Sequence, residues 1–255
     1  MNGEIEQMSN IIISTRKAIH NKEKIQYSLD KYIASIKFIF LSRGKFIKKT
    51  KIANSVSDWF DICKKQGLED IKFIIPISVK DRYILGFSNT SQDSMVCFWN
   101  DKSSTYFTSR WKYDSDNQGW KVVYEEHEWK DAPRRKTSFV NRTEEFKQVL
   151  LDIETLANRI DFENFAKIFH RAYESLCGYS YEYNNNLKVN LPDAFRGIYL
   201  AIMEADVFGA MGSWNDSPPY YAHEKGLDKE YDELSNKLLE QLRYNLMYVV
   251  NECWN

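Results

Sequence analysis

Between Ile71 and Trp129 the sequence changes its hydrophobic period, and that change constrains the fold more than any other feature. Five runs rich in β-branched and aromatic residues, Ile71–Val79, Arg82–Ser88, Ser94–Trp99, Thr105–Tyr113 and Trp120–Trp129, are parted only by short polar clusters. Those clusters are Lys80-Asp81, Asn89 to Asp93, Asn100 to Ser103 and Asp114 to Gly119. A parallel crossover needs a dozen or more residues, so connections this short predict antiparallel neighbours in a five-stranded meander. The runs carry Trp99, Tyr106, Trp111, Tyr113, Trp120, Tyr124 and Trp129. A period of two cannot bury all of them on one face, so the second face needs a cover, from the chain's own helices or from a partner.

Either side of the sheet the period is helical. Residues 3–42 read as two helices, the first with Ile5, Met8, Ile12 and Ile19 on one stripe, the second with Ile25, Leu29, Ile33, Ile36 and Phe40. A short helix capped at Ser57 and stopped by Gly67 follows. Beyond Pro133, Asn141 and Glu144 read as a capping box ahead of the stripe Phe146, Val149, Leu150, Ile153, Leu156, Ala157 and Ile160. Asp161 is placed to cap the next helix, which Gly178 stops. Pro192 opens a helix to Phe208 that terminates at Gly209, and a last helix with an acidic first turn runs from about Asp228 to Asn251. The expected fold class is α+β, with N-terminal helices, the five-stranded antiparallel meander and a helical C-terminal half. The segments 1–133 and 141–255 are its two parts, free or sharing one core, joined by a linker from Asp131 to Val140.

Composition sets the class of molecule. At 255 residues, 43% of them hydrophobic and 28% charged, the chain has enough apolar surface for a core without staples. No apolar run approaches the length of a membrane span, and the Met-Asn-Gly-Glu-Ile-Glu start lacks a secretory h-region, so the expected setting is cytoplasmic, without a membrane. Cys63, Cys97, Cys177 and Cys253 show neither CxxC nor CxxH spacing, which predicts reduced thiols and no zinc site. Signatures for nucleotide or dinucleotide binding, for a nucleophile elbow and for a zinc protease are absent, so no cofactor is expected.

The net charge of -1 hides an asymmetry: residues 1–51 hold 11 Lys or Arg against 4 Asp or Glu. Within them Arg43, Lys45, Lys48, Lys49 and Lys51 crowd into a Gly-bearing stretch able to attract phosphates, with Arg134-Arg135-Lys136 as a second cluster. The plainer reading is a solvated face, or one that docks on the acidic remainder of the chain.

Glu125-Glu126-His127-Glu128 is the densest titratable cluster. Glu128-Trp129-Lys130 at a strand end, with Asp114 or Asp116 upstream, resembles the E-x-K signature of restriction-type nucleases. That resemblance implies acidic residues holding a divalent cation and a lysine assisting the attacking water. Asp70-Ile71-Lys72 and Glu145-Phe146-Lys147 carry the same tripeptide pattern, and a solvated strand face explains all three equally well.

The most unusual string is Val207 to Pro219, in which Gly209 and Gly212 fold a loop and Trp214 is too large to leave exposed without cost. Ser213, Asn215 and Asp216 can bond that turn's own backbone, which makes it a structural turn or a binding loop. From about Leu200 to Met247, the order of helix, G-x-M-G-S-[FW]-N-D and acidic-starting helix resembles a set of small bacterial proteins to which no activity attaches. The chain departs from that pattern at Ala210 and at Pro218-Pro219-Tyr220-Tyr221. The expected function is non-enzymatic binding of a macromolecule, a protein first, as in toxin immunity or an accessory role in a defence locus. The alternative is a metal-dependent nuclease or nucleic-acid-binding component using Asp114, Asp116, Glu128 and Lys130 with the basic segment.

Overall fold

In the computed structural model of the chain, which describes residues 3–41, 51–77, 93–129, 138–179 and 187–255, one mixed sheet carries the architecture. Its strands are β1 (Ile33–Ile39), β2 (Ile52–Ala53), β3 (Leu68–Ile74), β4 (Ser94–Trp99), β5 (Ser104–Asp114) and β6 (Gly119–Glu128), in spatial order β2-β1-β6-β5-β4-β3. The helices are α1 (Gly3–His20), α2 (Val56–Lys65), α3 (Thr143–Arg159), α4 (Glu163–Leu176), α5 (Asp193–Ala205), α6 (Pro218–Glu224) and α7 (Asp228–Glu252). The chain is α+β with a helical C-terminal half.

The sheet differs from the expected meander in two ways. Strands β3 to β6 are antiparallel neighbours, whereas β1 inserts beside β6 in parallel and β2 pairs antiparallel outside it. The run Arg82–Ser88 lies outside the described residues. Strand β1 replaces the second N-terminal helix. Its three- and four-residue spacing is a coincidence that burial resolves: Leu29 is exposed, while Ile36, Phe38 and Phe40 are buried around an exposed Lys37, which is a period of two. Close approach at the β5–β6 turn favours glycine, because a Cβ on Gly119 would sit 3.0 Å from the Ala34 nitrogen and 3.1 Å from the Tyr32 carbonyl oxygen, tighter than ordinary contact.

Local signals shifted by a residue or two in several helices. Ser55, not Ser57, caps α2, its hydroxyl accepting from the Asp58 N–H at 3.0 Å. Asn141 bonds the Thr143 N–H two residues on and Glu144 lies inside the first turn, so an Asx turn stands where a capping box was expected. Asp161 adopts φ 64 and gives its carboxylate to Lys225 instead of capping α4. Helix α5 starts at Asp193, just after Pro192, and ends at Ala205, short of Phe208.

Helices α1 and α2 cover one face of the sheet. Phe38 stacks on Trp59 of α2 at 5.1 Å and on Tyr124 at 4.9 Å, and the Tyr124 hydroxyl donates to Gln7 Oε1 of α1 at 2.9 Å. On its other side α1 meets the helical half, where the Tyr199 hydroxyl of α5 donates to Asn10 Oδ1 at 3.1 Å. A helix sandwiched in this way must be apolar or internally bonded all round, and α1 buries Ile11, Ile12 and Ile13 together with Gln7, Asn10 and Arg16. Of the strand aromatics, Trp99 and Tyr124 are fully buried, Trp111 and Trp120 are half-buried, and Tyr113 is exposed. Register sets Trp99, Trp111, Tyr113, Trp120 and Tyr124 on one face and Tyr106 on the other, where among the described residues α7 reaches β3 through the Lys72 ammonium.

Strand β3 is the sheet edge nearest the helical half, and each outward backbone group at Ile71 and Phe73 has a side-chain partner. The Ile71 N–H donates to Asp70 Oδ1 at 2.8 Å, and the Ile71 carbonyl accepts from Arg16 at 3.0 Å. Asn251 of α7 accepts from the Phe73 N–H at 2.7 Å and donates to its carbonyl at 2.8 Å. Side chains thereby block an edge that would otherwise invite pairing with another strand.

Several phenols are held away from water beside acids. Burial, with Asp30 next, pushes Tyr32 up to about 12 from 10.0, and desolvation likewise raises Tyr27, Tyr124 and Tyr199. Unfolded tyrosine ionises near 10.0, before the folded phenols do, so this stability is complete below that pH and is lost as pH rises towards the folded values. Urea denaturation at a series of pH values is therefore expected to show unfolding free energy falling from about pH 10 to pH 12. A rise over that window would contradict the burial of these phenols.

Candidate functional site

The loop from Val207 to Ser217 is built around one indole. Trp214 is fully buried, its ring 5.2 Å from Phe165, 5.2 Å from Phe169 and 5.3 Å from Tyr231, with Nε1 donating to Ser235 Oγ at 2.7 Å. The Trp214 N–H returns to the Val207 carbonyl at 3.0 Å, and its carbonyl accepts from the Tyr231 hydroxyl. This return explains why α5 stops early: the chain must turn back before Gly209.

The polar residues around Trp214 bond within the loop. Ser213 Oγ donates to the Gly209 carbonyl at 2.9 Å and accepts from the Asn215 N–H at 3.2 Å. Asp216 Oδ2 accepts from the Gly212 N–H at 2.8 Å, and Gly212 takes φ 76, a left-handed conformation that favours glycine. Gly209, Gly212, Ser213, Trp214, Asn215 and Asp216 are thus brought together in one turn, which Trp214 ties to α7 through Ser235 and Tyr231. What the turn presents is Met211, 91% exposed, and the next helix, α6, adds the exposed Tyr220 and Tyr221. Sequence reasoning quoted Met211 in the string but assigned it no role. Its position between the two glycines, three residues before Trp214, was the available signal.

The E-x-K set is not brought together. Asp114 pairs with Gly119 at the β5–β6 turn and Glu128 pairs with Thr105 at the far end of the same hairpin, a separation of roughly 30 Å along an extended strand. Asp114 accepts from Asn117 at 2.5 Å and from Lys121 at 2.8 Å, and these bonds hold its carboxyl below the usual range. Asp116 is exposed in the turn, Glu128 is exposed, and Lys130 lies outside the described residues. Glu126, its neighbour in the acidic run, is buried and accepts from Thr105 at 2.7 Å and from the Leu41 N–H at 2.8 Å. Among the described residues no three His, Cys, Asp or Glu side chains converge as a metal site.

Of the basic segment, Lys51 is exposed just before β2, while Arg43, Lys45, Lys48 and Lys49, with Arg134-Arg135-Lys136, lie outside the described residues. Four other cations, which the sequence reading passed over, share the sheet face left open by α1 and α2: Lys37, Arg110, Lys112 and Lys121, all exposed. Alternation counted outward from the Asp114 to Gly119 turn was the signal that sets Lys112 opposite Lys121. Two clefts share Lys188 and Asn190, but the Lys188 ammonium is already committed to Glu6 at 3.2 Å and Asp30 at 2.5 Å. No helix among the described residues is long and apolar enough to cross a membrane. Comparison with known proteins finds no matching family model, curated protein or solved structure.

Proposed function

We propose that the chain is a macromolecule-binding protein whose helical half docks a protein partner through the Met211 loop. One observation carries the reading: a rigid, internally bonded turn holds an apolar side chain in solvent at 91% exposure, with two exposed tyrosines on the helix that follows. An unbranched thioether adapts to an apolar pocket, and tyrosine supplies contact area at low entropic cost. A turn pinned by a buried tryptophan pays little ordering entropy on binding. The partner class carried by the sequence reading is a toxin or a component of a defence locus.

The test is co-expression and co-purification with neighbouring gene products, followed by titration of the purified pair. Met211→Asp is expected to leave stability within about 0.5 kcal/mol, as exposed substitutions do. It should weaken the complex at least tenfold, the scale of one lost interface anchor at about 1.4 kcal/mol. If Met211→Asp and Tyr220→Ala both bind as wild type does, the loop is not the docking surface.

A further inference from the structure

We infer that the open face of the sheet binds single-stranded nucleic acid. Register fixes which side chains share this face. Across the antiparallel β5–β6 pair, Lys112 stands opposite Lys121, Arg110 opposite Val123, Thr108 opposite Glu125 and Tyr106 opposite His127. The parallel partner β1 sets Lys37 beside Val123 and Ser35 beside Lys121. Three adjacent strands therefore present Lys37, Arg110, Lys112 and Lys121 in one exposed patch. Two carboxylates accompany them: Glu125 pairs with Arg110, and Asp114 with Lys121 at 2.8 Å. Lys37 and Lys112 have no ion-pair partner among the described residues, so the face carries an excess of positive charge.

Two like charges directly opposite across a strand pair destabilise a sheet; Lys112 and Lys121 are so placed with Lys37 one strand away, and Asp114 offsets only Lys121. A polyanion lying along the face removes that repulsion and releases its own counterions. The same face supplies an aromatic surface: the Tyr106 ring stacks on His127 with centroids 5.1 Å apart and planes at 30°, both half-exposed. From Tyr106 to Lys112 the strand advances roughly 20 Å, and three strands span roughly 10 Å between their axes. On β4 and β3 the face closes, because Val96 is buried and the Lys72 ammonium is committed to the Asn251 carbonyl at 2.8 Å. A narrow strip with cations at one end and a ring stack at the other suits an extended strand whose unpaired bases stack while its phosphates meet lysine. A duplex keeps its bases paired and could use only the cations.

Fluorescence anisotropy on the full chain tests this, with a labelled oligothymidylate of about twenty nucleotides, longer than one sheet or barrel module usually covers, against a duplex of the same length. The single strand is expected to bind at least tenfold tighter than the duplex. Lys37→Glu combined with Lys112→Glu should weaken it at least tenfold and flatten the slope of log K against log salt by about 1.4, at about 0.7 per phosphate contact. Tyr106→Ala should weaken the single strand about thirtyfold, the middle of the range for one stacked base, and leave the duplex unchanged. Thermal melting verifies that each variant folds. Salt-insensitive or absent binding, equal affinity for the duplex, or unchanged binding by the double lysine variant or by Tyr106→Ala would each overturn the proposal. Met211→Asp should bind the oligonucleotide as wild type does, so failure here and failure of the loop reading are separable.

Discussion

Trp214→Ala is expected to lower the unfolding free energy by about 3–5 kcal/mol, the cost of deleting a large aromatic from a packed site. The indole fills the space between Phe165, Phe169 and Tyr231, and removing it leaves a void that two helices and a loop must collapse around. It also strands the Ser235 hydroxyl, which is fully buried and accepts the indole N–H at 2.7 Å. Trp214→Phe keeps most of the ring volume and forfeits that hydrogen bond, so its cost should be smaller, about 1–3 kcal/mol. Folded domains hold only about 5–15 kcal/mol in reserve, so the alanine variant loses a large part of it. Urea denaturation with the slope held constant reads both values. A loss below about 1 kcal/mol for Trp214→Ala would mean that the indole does not hold the loop in place. The contrast with Met211→Asp separates anchor from contact: one variant loses stability and presentation together, the other only affinity.

The parts of the fold legible in the sequence are those set by local signals. Strand β4 has the expected bounds, Ser94–Trp99, and β5 and β6 differ by one residue at each end, because polar turn clusters bracket alternating runs. Helix α7 begins where its acidic first turn predicts, at Asp228. Strand β1 was not legible, because its identity is decided by β6, a partner remote in sequence, and no turn signal links the two. The spacing of Ile25, Leu29, Ile33, Ile36 and Phe40 satisfied a helical template that tertiary pairing overrode. The loop was legible for a chemical reason: a tryptophan just after two closely spaced glycines has to be buried, and burying it fixes the turn. Asp114 and Glu128 failed as a pair because residues near in sequence are carried apart when the chain between them is extended.

Asn251→Ala carries the second large effect and joins the sheet to the helical half. The Asn251 amide is fully buried and forms both outward hydrogen bonds of Phe73 on the β3 edge. Alanine leaves an N–H and a carbonyl unpaired, and at about 1–3 kcal/mol for each orphaned group the expected loss is about 2–6 kcal/mol. At about 2–4 °C per kcal/mol for a chain of this size, that is a fall in Tm of about 4–24 °C. The end of α7 would then fray first, because Asn251 joins it directly to the edge, while Arg16 still spans the Ile71 carbonyl and the Asn255 side chain. A frayed α7 uncovers the Phe73 backbone, and an uncovered strand edge pairs with another copy. Light scattering of Asn251→Ala below its melting point should therefore show a size that grows with protein concentration, where wild type stays constant. A variant that melts with wild type and does not associate would show that the β3 edge is closed by the packing of α1 and α7 alone, with the amide contributing nothing.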